Sequence, residues 1–188
     1  MLSLTHSVAP TSILLMGAHC DDIEIGCAAT ALHLIERFPE AHFDWVVFSS
    51  TPERAQEAMR SSDILLAGAR SKTVIIENFR NGYFPYIGGQ IKDYIELLKT
   101  RTKPDWIFTH HSEDRHQDHR VLAELTWNTF RNHLIFEYEI PKYDGGLGSP
   151  NCFISASQAF ADKKIATLME CFVSETVKPW FSPETFKA

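Results

Sequence analysis

The chain has little of several things that would each mark a class. Its four cysteines, Cys20, Cys27, Cys152 and Cys171, are spaced widely and irregularly. That fits neither a disulfide framework nor a paired-cysteine zinc knuckle, so free thiols are expected. No apolar run approaches the ~20 residues that span a bilayer, and residues 1–10 lack the basic start and apolar middle of a signal peptide. No membrane segment and a cytoplasmic location are therefore expected. Lysine and arginine total 18 against 24 acids, a formal charge of −6, and they are scattered along the chain. With no basic stripe to follow a phosphate backbone, nucleic acid is not an expected partner. Between Gly17 and Gly26 there is neither GxGxxG nor GxxxxGK, and acids stand where backbone amides would meet a phosphate. No linker or internal repeat divides the 188 residues, and their 44% hydrophobic and 22% charged content suits one globular domain over 1–188.

What is present is an alternation of two periodicities. The apolar run 12–17 ends at a glycine and reads as a buried strand of a parallel sheet. Small and apolar residues then recur at helical spacing over 25–37. Strands are expected at 43–48, 73–76, 105–109 and 134–138, and helices at 53–67, 91–98 and 121–130, with Gly88-Gly89 as a breaker. Strands alternating with helices of this length predict an α/β fold, a Rossmann-like three-layer sandwich with a mostly parallel central sheet. Trp106 and Trp127 fall in elements facing that sheet and are expected in the core. The loop 142–150 carries three glycines, either as turn chemistry or as a functional loop.

Ligand-type side chains concentrate in two places, His19-Cys20-Asp21-Asp22-Ile23-Glu24 and the run from His110 to His119, each directly after an expected strand. In a parallel sheet all strand carboxyl ends lie on one edge, and ligands bind in the crevice beyond them. The two clusters should therefore meet. They offer imidazoles and carboxylates without a cysteine pair, the donor set of a hydrolytic zinc site with an open position. Packing Asp21 and Asp22 beside further acids is unfavourable unless a cation offsets the repulsion. Glu24 reads as an acid favoured by a helix N-terminus. His110 and His111 read as strand-end residues bonded to backbone.

These clusters resemble the LmbE-like (PIG-L) family of zinc-dependent N-deacetylases. Ala18-His19-Cys20-Asp21-Asp22-Ile23-Glu24-Ile25-Gly26 is similar to its AHPDDxExG signature, and His116-Gln117-Asp118-His119 to its HxDH signature. The resemblance implies that His19, Asp22 and His119 hold Zn²⁺, with another divalent transition metal open, and that Asp21 is the general base. It implies that His116 donates to the oxyanion, with Asp118 holding that imidazole protonated and correctly turned. Arg54 is similar to a family arginine that binds substrate or orients the site. The implied substrate is a small-molecule N-acylated, most simply N-acetylated, amino sugar or glycoconjugate. Two features depart from the family. Cys20 replaces a proline, and the chain stops at Ala188, where longer members continue into a basic segment lining the substrate pocket. Two other readings stay open, an α/β module that binds a small molecule or nucleotide, and a zinc-binding relative without turnover. The oligomeric state is open too, a homo-oligomer included.

Overall fold

The computed structural model describes residues 9–187; residues 1–8, most of the stretch read for a leader, and Ala188 lie outside the described residues. In chain order the elements are β1 (Ser12–Gly17), α1 (Asp22–Arg37), β2 (His42–Val47), α2 (Pro52–Leu65), β3 (Ser71–Ile76), α3 (Gly88–Arg101), β4 (Trp106–His110), α4 (Gln117–Thr129), β5 (Leu134–Tyr138) and α5 (Gln158–Cys171). Short 3-10 turns fall at Phe84–Tyr86, Val173–Glu175 and Thr185–Lys187. The sheet runs β3-β2-β1-β4-β5 and every pairing is parallel.

Alternate side chains of the central strands feed two cores. Ile13 and Leu15 of β1 join Phe43, Trp45 and Val47 of β2 under α1, α2 and α5. Leu14 and Met16 join Val46 on the opposite face, against Ile91, Ile95 and Leu98 of α3 and Leu122 of α4. Because both faces are covered, the central strands read as continuous apolar runs. The chain leaves β1 toward β2 and β3, then returns to the other flank of β1 as β4. This switch opens a crevice at the carboxyl ends of β1 and β4.

The helix ends differ from the expected bounds in instructive ways. Gly88 and Gly89 open α3 instead of breaking it. The α4 helix starts at Gln117, so the second cluster lies partly in its first turn. The α5 helix had no expected counterpart, because Lys163, Lys164 and Thr167 interrupt its apolar stripe. Trp106 packs edge-on against Phe38 and Phe136, but Trp127 is 47% exposed and not core. Its indole N–H donates to Glu137 Oε1 at 2.7 Å, which satisfies the ring's polar end at the surface. All four cysteines are free thiols, and no described helix is long and apolar enough to cross a membrane.

Candidate active site

Where β1 ends at Gly17, residues 18–21 turn into α1, and local bonds lock that turn. The His19 N–H donates to Asp22 Oδ2 at 2.7 Å. The Ala18 N–H donates to Nε2 of His110, at the end of neighbouring β4, at 2.9 Å. A second turn after β4 leads into α4, whose cap is His116, with its Nδ1 accepting from the Asp118 N–H at 3.2 Å. The two clusters thus enter the same crevice from adjacent strands.

Three donor atoms converge there. His19 Nδ1 and Asp22 Oδ2 are 3.2 Å apart, Asp22 Oδ2 and His119 Nε2 3.3 Å, and His19 Nδ1 and His119 Nε2 3.2 Å. Ligands at about 2.1 Å from a tetrahedral ion lie about 3.4 Å from one another, so this triangle has the size of one face of such a site. The far side of each imidazole meets a carboxylate. His19 Nε2 lies 3.2 Å from Asp118 Oδ2, and His119 Nδ1 lies 3.1 Å from Asp114 Oδ2. Carboxylates behind ligand histidines orient the ring and raise its basicity. Both are themselves anchored, Asp118 by the N–H groups of Gly82 and Phe84, and Asp114 by the His116 N–H and Lys142. His116 can join His19 and His119 in a second donor group, and His110 can join Asp22 and His119 in a third. The donor chemistry and spacing fit a zinc-like ion.

The charge pattern points the same way. Burial would lower the His19 imidazole, but the Asp22 charge and the hydrogen bonds to Asp118 and Asp22 push it up to about 10. Burial and the nearby His119 push His110 down to about 4. Burial, with His19 and His119 alongside, likewise takes His116 to about 4. Burial raises Asp21 despite the opposing Arg54 charge. Asp22 is held well below the usual carboxylate range, because three surrounding histidines outweigh its burial.

Several expectations change in detail. The Asp118 carboxylate bonds His19 and the 82–84 backbone, and the contact it makes with His116 is through its own N–H. That bond occupies Nδ1 and leaves the proton of a neutral imidazole on Nε2, so His116 is turned without being protonated. Arg54 is already engaged, with Nη2 3.1 Å from Asp21 Oδ1 and Nη1 2.8 Å from Glu175 Oε1. Glu24 lies in the first turn of α1, as expected, but it is fully buried, its Oε1 accepting from Ser61. Cys20 is buried, with its thiol 3.4 Å from the Ser49 carbonyl, and burial pushes it up to about 12. It is a protonated filler of the turn. The sequence alone does not single out Asp114 as the partner of His119, although its place within the second cluster is a usable signal. Glu175 and Lys142 carried no such signal, since only the fold brings them near.

The crevice opens into a cavity of about 640 Å³, walled by the two clusters, by the 78–81 loop after β3, and by Lys142, Tyr143, Glu175, Lys178 and Trp180 from the chain beyond β5.

Residues 14–130 match the family described as PIG-L, GlcNAc-PI de-N-acetylase. Among solved structures, the zinc-inhibited form of a teicoplanin deacetylase is similar at a TM-score of 0.72 and 13% identity, covering 89% of this chain and 85% of that one. A conserved protein of Thermus thermophilus is similar at 0.70 and 20% identity, covering 95% and 85%. The N,N'-diacetylchitobiose deacetylase of Pyrococcus horikoshii is similar at 0.65 and 18% identity, covering 91% and 74%. At these identities the likenesses concern the fold.

Proposed function

Since the chain belongs to the PIG-L family of de-N-acetylases, we propose that it hydrolyses the amide of an N-acylated, most simply N-acetylated, amino sugar or glycoconjugate. The observation that carries this reading is the 3.2–3.3 Å donor triangle of His19, Asp22 and His119 opening into the cavity. Those three residues would hold Zn²⁺, or another divalent transition ion, which supplies Lewis acidity and brings the pKa of a water toward about 7.

Around that centre the protein's own groups divide the work. Asp21, a cavity-lining carboxylate that adjoins the triangle residue Asp22, accepts the proton of the attacking water, a general-base role worth about 100- to 10,000-fold. His116 is neutral, and with Nδ1 occupied by the Asp118 N–H its Nε2–H is the donor left for the developing oxyanion. Asp118 and Asp114 keep His19 and His119 turned toward the triangle.

The test compares bound zinc and amine release from N-acetylglucosamine derivatives in wild type, His19→Ala and Asp21→Asn. His19→Ala should lose metal and activity together, whereas Asp21→Asn should keep the metal and lose turnover. A wild type that takes up no stoichiometric zinc on reconstitution leaves the small-molecule-binding reading in its place. One that binds zinc but releases no amine from any N-acylated sugar leaves the reading of a relative without turnover.

A further inference from the structure

We propose that the C-terminal turn Val173–Glu175 is a working part of the active site: Glu57, Ser174 and Glu175 grip the Arg54 guanidinium and hold it against Asp21. This rests on the deacetylase reading, in which Asp21 is the base. Arg54 is a positioning residue here, and the other three act through it.

The geometry is that of a clamp. Arg54 rises from the first turn of α2, with its fork divided between two jobs. Nη2 faces Asp21 Oδ1 at 3.1 Å. Nη1 faces away, toward Glu175 Oε1 at 2.8 Å and Ser174 Oγ at 3.0 Å. Glu57, one turn along α2, accepts from the Ser174 N–H at 2.9 Å and from its hydroxyl at 2.7 Å, which fastens the C-terminal turn to the helix that carries Arg54. The Phe172 ring lies 5.3 Å from the guanidinium carbon. Arg54 and Glu175 side chains are only 16% and 10% exposed, so these contacts are shielded from solvent.

An arginine side chain free to rotate keeps a poor hold on a carboxylate, and its planar fork is effective once its orientation is set. Here the second carboxylate and the hydroxyl set it. Asp21 also adjoins Asp22, and a fixed cation on its outer side offsets that repulsion while aiming its oxygens. A guanidinium committed in this way is not free to receive a carboxylate or phosphate from a substrate. The clamp residues Ser174 and Glu175 lie beyond the stretch 14–130 that matches the family, so the match alone could not have assigned them.

The experiment is a double-mutant cycle on zinc-reconstituted protein, with metal content measured for each variant. Glu175→Ala should lower kcat about tenfold, as expected when one partner of a contacting network is removed, with KM within about twofold and zinc retained. Glu175→Asp should recover part of the loss. In an Arg54→Ala background, Glu175→Ala should have no further effect. An unchanged kcat in Glu175→Ala, or the same fold loss with and without Arg54, would overturn the clamp. If wild type proves inactive, the deacetylase reading fails separately, and the clamp is read from thermal midpoints of the same four proteins. The double variant should then melt no lower than the weaker single; additive losses reject the coupling.

Discussion

At Glu24 the carboxyl is fully buried between α1 and α2, with Oε1 bonded to Ser61 and Oε2 without a hydrogen-bond partner. Burial raises its pKa well above the ordinary value. The unfolded chain releases this proton near about pH 4.3 while the folded chain keeps it, so Glu24 costs stability increasingly as pH rises above that value. Glu24→Gln removes the titration while preserving shape. Its thermal midpoint relative to wild type should therefore rise between about pH 4 and about pH 8; a difference that does not change with pH shows that Glu24 ionises normally. At His116 the prediction concerns chemistry. Its Nδ1 is occupied by a backbone N–H and its imidazole is neutral. His116→Ala should keep zinc and lose about 100- to 1000-fold in kcat, the usual cost of one oxyanion donor, measured as amine release on protein of verified metal content.

Among the elements, α1 is set by its glycine. A Cβ on Gly26 would stand 2.3 Å from the Tyr138 ring and 2.7 Å from the Glu139 carbonyl, so helix and strand β5 meet where no side chain fits. Tyr138 is not free to yield, because its hydroxyl donates to the Met16 carbonyl at 2.7 Å and its ring lies against His110. Gly26→Ala should destabilise the protein by at least about 1–3 kcal/mol, the ordinary cost of overpacking, read by denaturant unfolding. Because α1 carries Asp22, zinc uptake should weaken in the same variant. Wild-type stability would mean that α1 can slide along the sheet. The start of α4 is tied as firmly, since Asp118 holds His19 on one side and the 82–84 backbone on the other.

For the whole molecule, a metal held as proposed would be a folding partner as much as a reagent. A ligand that binds only the folded state stabilises it by about 4 kcal/mol at a thousand times its Kd, so zinc should raise the thermal midpoint and a chelator should reverse the rise. The His19 imidazole, pushed up to about 10 without metal, must give up its proton on binding. Zinc affinity should increase from about pH 6 to about pH 8, with at least one proton released at neutral pH, because the His119 imidazole, despite its burial, is pushed up as well by Asp22 and Asp114. Titration calorimetry in buffers of different ionisation enthalpy measures that number; no proton release would mean that His19 is not a ligand. How much of this was legible in the chain alone varies with distance along it. The strands 12–17 and 134–138 were readable to the residue, β1 because a central strand covered on both faces is an apolar run and β5 because the short β-branched and aromatic run Leu134–Tyr138 stands out even at the edge of the sheet. That the two clusters meet was readable because parallel strands deliver all their carboxyl ends to one edge; the choice of His19, Asp22 and His119 within them came from the family resemblance. The partners of those residues were not. That Asp118 faces His19 and not His116, that Arg54 is spent on Asp21 and Glu175, and that Trp127 stays at the surface depend on which side chains meet when they are 99, 121 and 10 positions apart in the chain. Local spacing determines which residues share an edge or a helix face; only packing of the whole chain decides which atom of each one finds a partner.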